Sequence, residues 1–212
     1  MSQFLKFIGL LLISWGVGVC AMAAPVVSLG AAGQVNSGLA GVTSVDFNSG
    51  CGYASCSGDY KIVSGSASGL YAQPLGTDSA YLTVPNPSPT THTAEFGLGT
   101  TANYFGLFWG SIDDYNSISF YRDNVQLANF SGADIVGQFA NGSQVSYSSN
   151  RYINFDFGND MYDTVRLSSS GFAFESDNHA YVKSTFVPEP INLVLMGLGV
   201  FGLCIARRSQ RS

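Results

Sequence analysis

Residues 117–130 read SISFYRDNVQLANF, and this stretch carries the clearest fold signal in the sequence. Apolar and polar residues alternate on both sides of Asp123-Asn124, two residue types that tolerate positive φ in tight turns. The pattern predicts a β-hairpin with one buried face. The residues predicted to face the core are Ile118, Phe120, Val125 and Leu127.

Short alternating runs recur through the middle of the chain, between clusters of turn-forming residues. Further strands are predicted at 42–47, 81–84, 93–98, 104–109, 151–157, 163–168, 172–175 and 179–186. A turn at 99–103 is expected to join two of them, and one helical turn is expected within 133–139. This pattern predicts an all-β fold, an antiparallel β-sandwich of jelly-roll type. A closed barrel is the alternative.

The first 23 residues have the features of a secretory signal peptide. Lys6 precedes an apolar stretch at 7–19, and Ala21-Met22-Ala23 forms a small-residue cleavage pattern. We therefore expect a signal helix at 1–23, handled by the secretion translocase and signal peptidase, and a β-sandwich domain at 24–186. Cys20 leaves a lipoprotein as the alternative, although Val19 occupies a position where a lipobox needs a small residue.

The predicted exported domain is acidic. Between residues 24 and 187 there are five Lys or Arg and thirteen Asp or Glu, hence a net charge of −8, against −5 for the whole chain. Because the cations do not cluster, nucleic acid and anionic lipid are excluded as expected partners.

Two cysteines fall in this domain, Cys51 and Cys56, within the sequence CGYASC. Four intervening residues do not fit a C-x-x-C redox site, and a zinc site would need two further ligands nearby. In an exported, Gly/Ser-rich loop the pair is expected to form a disulfide.

The last 26 residues are expected to direct the protein to a membrane. Two prolines keep the start of this segment extended. An uncharged apolar run at 191–206 is long enough to nearly cross a bilayer as a helix, and basic residues follow it on the expected cytoplasmic side. The residues that define the segment are Val187, Pro188, Glu189, Pro190, Arg207 and Arg208.

This order of parts resembles the PEP-CTERM sorting signal of Gram-negative bacteria, a segment also catalogued as an ice-binding protein C-terminal domain. The resemblance covers 187–212 only. It implies that an exosortase, a membrane-embedded cysteine transpeptidase, cuts near Pro188-Glu189-Pro190. The protein would be exported through the inner membrane, anchored by a single C-terminal helix, and then moved to the cell surface or the extracellular matrix. An ordinary tail anchor is the alternative.

One aromatic strand runs into an acidic turn and suggests a sugar or calcium site. Oxygen ligands of this kind suit Ca²⁺, and aromatic rings can stack on a sugar. The competing interpretation is that Asp and Asn only form turns by bonding their own backbone. The candidate residues are Trp109, Asp113, Asp114, Tyr115 and Asn116, with Asp177 and Asn178 as a second group.

Motifs of enzyme active sites are missing from the sequence. It contains no H-E-x-x-H, no G-x-S-x-G and no phosphate-binding glycine loop. A hydrolase could use Glu95 with Glu175 as acid and base, and this is the third hypothesis. The first is a non-enzymatic surface or matrix protein that associates with extracellular polysaccharide. The second is a calcium-assisted, lectin-like module that binds carbohydrate.

Overall fold

A computed structural model describes residues 24–86 and 91–183. Within these ranges the chain forms eleven strands, one α-helix of five residues and one 3₁₀ turn, so the predicted all-β fold is confirmed. No helix in the described ranges has the length and apolar character needed to cross a membrane. The elements are β1 (Val26–Leu29), β2 (Thr43–Val45), β3 (Ser55–Gly58), β4 (Lys61–Val63), β5 (Tyr81–Val84), β6 (Thr93–Gly110), β7 (Asn116–Arg122), β8 (Val125–Ser131), α1 (Gly132–Val136), the 3₁₀ turn Gly137–Phe139, β9 (Arg151–Asp156), β10 (Tyr162–Ser169) and β11 (Phe174–Lys183).

The long strand β6 connects all parts of the sheet. Its first half lies between β3 and β10, and β10 continues through β7 to β8 at the edge; we call this set of strands the first arm. Its second half lies between β11 and β9. β11 also pairs with β2 and with β5, β5 pairs with β4, and β9 pairs with β1, which together form the second arm. Every pairing is antiparallel.

Aromatic side chains from the two arms meet in one core. Phe120 of β7 lies 4.9 Å from Phe155 of β9 and 5.6 Å from Phe105 of β6, measured between ring centroids. All three rings are fully buried. Burying rings of this size supplies a large share of the apolar transfer free energy, about 1.5–3 kcal/mol for each.

The predicted hairpin is confirmed as β7 and β8. Asp123 and Asn124 both have positive φ, 50° and 65°, as a two-residue turn between twisted strands requires. Ile118 and Phe120 are buried as predicted. The inward placement of Val125 is wrong, because this residue pairs with Arg122 at the tip of the hairpin and is 64% exposed.

Two predicted breaks between strands are absent. Residues 99–103 do not reverse the chain; β6 continues through them and changes its pairing partners there. Similarly, the predicted runs at 172–175 and 179–186 both overlap one strand, β11 (Phe174–Lys183), which bulges between Asp177 and Ala180; residues 184–186 lie outside the described ranges. The predicted helical turn at 133–139 is confirmed by α1 and the 3₁₀ turn. The predicted signal peptide at 1–23 and sorting segment at 187–212 lie outside the described residues.

Candidate functional site

A cleft of about 500 Å³ lies beside the C-terminal end of β6. Its walls come from the loop at residues 66–72, the turn that connects β6 to β7, the loop after the 3₁₀ turn, and the start of β11. Residues far apart in sequence therefore meet here. The volume falls in the range of small-molecule sites in proteins.

Glu175 forms the floor of the cleft and is 2% exposed. One carboxylate oxygen, Oε1, accepts a hydrogen bond from the Ala72 N–H at 2.8 Å, and Oε2 accepts one from the Ser111 hydroxyl at 2.7 Å. Burial raises the pKa of Glu175 to about 8, although both hydrogen bonds lower it. At neutral pH this carboxyl group is therefore largely protonated.

Asp113 lies on the wall of the same cleft, in the turn after β6. Burial raises its pKa, an interaction with the Tyr115 side chain lowers it in part, and the neighbouring carboxylate of Asp114 raises it. The opposite side of the turn is held by Gly142, whose N–H donates to the Ile112 carbonyl at 3.0 Å. A Cβ atom at Gly142 would lie 2.5 Å from Oδ1 of Asp113, so only glycine allows this close approach.

Two aromatic rings border the cleft and are accessible to solvent. Tyr115 is 38% exposed and Phe172 is 40% exposed. The Tyr115 hydroxyl donates to the Phe172 carbonyl at 2.9 Å, which fixes the tyrosine ring beside the opening. Burial is the main cause that raises the pKa of Tyr115, so its hydroxyl stays protonated and keeps this hydrogen bond.

Asn150, which the sequence interpretation missed as part of the site, holds three loops around the cleft. Its Oδ1 accepts from the Ser111 N–H at 3.0 Å and from the Leu75 N–H at 3.1 Å. Its Nδ2 donates to the carbonyls of Ser143 and Ser146 at 2.7 and 3.0 Å. A single buried amide thus satisfies four backbone groups, and nothing in the local sequence distinguishes it from other loop asparagines.

The residues of the predicted acidic turn occupy different positions relative to the cleft. Asp113 and Tyr115 line the cleft, whereas Asp114 is exposed and does not. Asn116 is fully buried: its Nδ2 donates to the Ala173 carbonyl at 3.1 Å, and its Oδ1 accepts from Ser169 at 2.6 Å. Asn116 therefore connects β7 to the start of β11 and is not a ligand-facing group.

Asp177 and Asn178 do not line the cleft. Asp177 is buried on β11, where it accepts from the Ser79 hydroxyl at 2.9 Å and the Asn178 N–H at 2.7 Å. Burial raises the pKa of Asp177 to about 6. Asn178 has a φ of 48° at the bulge in β11. Both residues therefore lie at this bulge in β11 and outside the lining of the cleft.

The predicted stacking role of Trp109 is wrong. This side chain is fully buried and stacks on Phe174, with the ring centroids 4.1 Å apart and the planes at 15°. It cannot present a face to a sugar at the surface. Its indole Nε1 has no hydrogen-bond partner among the described residues.

Glu95 and Glu175 are not brought together. Glu95 lies near the start of β6 and forms an ion pair with Arg166 at 2.7 Å, while Glu175 pairs with Gly110 at the other end of that strand. Glu175 shares its cleft with Asp113 instead.

His179 lies in the core, in a row of polar groups that the sequence interpretation did not foresee. Its Nδ1 is 2.7 Å from the Tyr53 hydroxyl and its Nε2 is 2.9 Å from the Ser176 hydroxyl. Burial lowers the pKa of His179 to about 3, so the imidazole is neutral at physiological pH. This row connects β11 to the loop that contains the cysteine pair.

The Cys51–Cys56 disulfide is confirmed, with a Cα–Cα distance of 6.6 Å. No cluster of three or more His, Cys, Asp or Glu side chains that could hold a metal ion occurs in residues 24–86 and 91–183. In comparisons with known proteins, no family model and no curated protein matches this chain.

Proposed function

We propose that this chain is an exported, non-enzymatic surface or matrix protein that an exosortase processes and that associates with extracellular polysaccharide. The N-terminal leader pattern and the Pro188-Glu189-Pro190 segment support export and sorting. The disulfide supports an oxidising compartment outside the cytoplasm. In this proposal the two arms are the two layers of a jelly-roll-like sandwich.

Sorting is tested by replacing Pro188-Glu189-Pro190 with three alanines in the native host. We expect an uncut precursor that stays in the membrane fraction, detected by immunoblot as a larger band. The control variant carries Ser209→Ala and Gln210→Ala, which change the tail and leave the tripeptide intact. Normal processing of the triple-alanine variant would contradict the sorting proposal.

We propose further that the cleft binds carbohydrate from that polysaccharide. The observation that carries this proposal is a polar cleft with two solvent-accessible aromatic rings, Tyr115 and Phe172, beside buried hydrogen-bonding groups. A sugar offers hydroxyl groups to the polar walls and an apolar ring face to the aromatic side chains. These contacts do not include a calcium ion. The proposal is therefore the lectin-like hypothesis without calcium.

Carbohydrate binding is tested on the full-length chain purified in detergent. We expect a glycan array to give signals that persist after chelation of calcium and that fall for Tyr115→Ala. Tyr147→Ala is the matched control, since Tyr147 is 39% exposed and does not line the cleft. An array without signal, or equal losses for both variants, would contradict this assignment of the site.

A further inference from the structure

Among the described residues, the cleft is lined by acidic residues without a basic residue beside them. Asp113 and Glu175 both line it, and none of the Lys, Arg or His side chains in the described ranges does so. The ion pairs seen in the described ranges lie elsewhere: Arg166 with Glu95, and Arg122 with Asp123 and Asp163. An anionic ligand would therefore meet only negative or neutral groups, whereas a cationic group would gain an opposite charge.

The two carboxyl groups differ in their availability to a ligand. Both oxygens of Glu175 already accept hydrogen bonds, from Ala72 and Ser111, and its side chain is almost completely buried. Asp113 also lines the cleft and is only partly buried, so it is the more exposed of the two carboxyl groups. A charged ligand group that enters the cleft therefore meets the carboxylate of Asp113.

We propose that the cleft selects a sugar unit with a free ammonium group, such as a 2-amino-2-deoxy sugar, with Asp113 as the charged partner of its amine. Tyr115 and Phe172 provide the surfaces for the sugar ring. A hydrogen-bonded pair of opposite charges in a partly desolvated site is stronger than a neutral hydrogen bond. N-acetylation removes that charge, and a uronic acid reverses it. This inference rests on the proposed binding of carbohydrate by the same cleft.

The experiment compares three short oligosaccharides by calorimetric titration of the full-length chain in detergent. The probes are the trimer of glucosamine, the trimer of N-acetylglucosamine and the trimer of galacturonic acid. At about pH 6, where the sugar amine carries charge, we expect the first to bind about tenfold more tightly than the second, and the third not to bind. The preference for the amine should decrease as salt increases.

Two isosteric variants separate the cleft from the general acidity of the domain. Asp113→Asn and Asp114→Asn each remove one negative charge from adjacent positions, but only Asp113 lines the cleft. We expect Asp113→Asn to abolish the preference for the amine and Asp114→Asn to keep it. Thermal denaturation establishes that both variants fold. The salt dependence of binding is measured on the unmodified chain and therefore tests the proposal even if a variant does not fold.

Each outcome has a distinct meaning. Equal affinities for the glucosamine and N-acetylglucosamine trimers would overturn the selectivity for an amine and leave carbohydrate binding in place. Equal effects of Asp113→Asn and Asp114→Asn would overturn the role of Asp113, because general attraction to the acidic surface would then explain the preference. If none of the three trimers binds, and the array is also silent, both the inference and the carbohydrate-binding proposal fail.

Discussion

Ser111 donates a hydrogen bond from its hydroxyl to Oε2 of Glu175 over 2.7 Å, although 64 residues separate the two in sequence. The contact joins the end of β6 to the start of β11 at the floor of the cleft. It only partly offsets the burial of the carboxyl group, whose pKa remains raised to about 8. Glu175 is therefore expected to make the stability of the domain depend on pH.

The first prediction concerns Glu175→Gln. Between about pH 4.5 and pH 8 the folded protein keeps a proton on Glu175 that the unfolded chain releases, so stability decreases as pH rises. The contribution is at most about 1.4 kcal/mol per pH unit. Urea denaturation across this range should show a flatter pH dependence of stability for Glu175→Gln.

Ser111→Ala provides a second variant at the same contact. It removes a hydrogen bond that lowers the pKa of Glu175, so the decrease in stability should extend to higher pH. Parallel curves for Glu175→Gln and the unmodified chain would contradict the argument.

The second prediction concerns His179→Gln and has the opposite sign. The pKa of His179 is lowered to about 3, so between pH 6.5 and pH 3 the unfolded chain binds a proton that the folded protein does not. Stability from this group therefore decreases as pH falls. Glutamine cannot titrate in this pH range. At neutral pH the free energy of unfolding of the variant should be about 1–3 kcal/mol lower, because glutamine makes poorer contacts with Tyr53 and Ser176. Urea denaturation at neutral and acidic pH should show a smaller acid effect in the variant than in the unmodified chain.

The fold was predictable where the signal is local. The turn Asp123-Asn124 and the alternation around it determine the hairpin of β7 and β8 within fourteen residues. The continuity of β6 was not predictable, because residues 99–103 contain turn-forming types and stay extended only through strands contributed from distant parts of the chain. Pairing that depends on distant strands leaves no local pattern.

The site was predictable only in part for a similar reason. Asp113 and Tyr115 were found because an aromatic strand followed by acidic residues is visible in the sequence. Glu175 was noticed as a carboxylate, but its partners in the cleft depend on how β11 lies against β6. Trp109 was misplaced because the sequence shows that a residue is aromatic and not which side of the strand faces the core.

The third prediction concerns Trp109, whose ring lies on Phe174. Trp109→Ala leaves a large cavity and should cost about 3–5 kcal/mol. Trp109→Phe keeps a ring on Phe174 and removes an indole N–H that has no partner in the described residues, so its smaller cavity should cost clearly less than that of Trp109→Ala. Chemical denaturation measures both. A loss of sugar binding in a fully folded Trp109→Phe variant would contradict the exclusion of this ring from the site.

The fourth prediction concerns the disulfide. Replacing Cys51 and Cys56 by alanine removes a short covalent loop and should lower the free energy of unfolding by about 2 kcal/mol. The peptide that contains both residues should react with an alkylating reagent only after reduction, as measured by mass spectrometry. Alkylation of unreduced protein at these positions would show that the bond does not form in this domain.

The last prediction uses two glycines, Gly142 and Gly137, that both have a positive φ and differ in their surroundings. Gly142 and Gly137 have φ of 67° and 55°, a region that side chains rarely adopt, and Gly137 combines it with a ψ of −126°. Alanine is therefore strained at either position, by about 1–3 kcal/mol. At Gly137 an added Cβ would have no atom of the described residues within 4 Å, whereas at Gly142 it would lie 2.5 Å from Oδ1 of Asp113. Gly142→Ala must therefore displace the carboxylate from its place on the cleft wall. We expect both variants to lose stability, Gly137→Ala through its backbone conformation and Gly142→Ala also through the displaced carboxylate, but only Gly142→Ala should weaken binding of the glucosamine trimer. Equal affinities in the two variants would mean that the position of Asp113 does not determine binding.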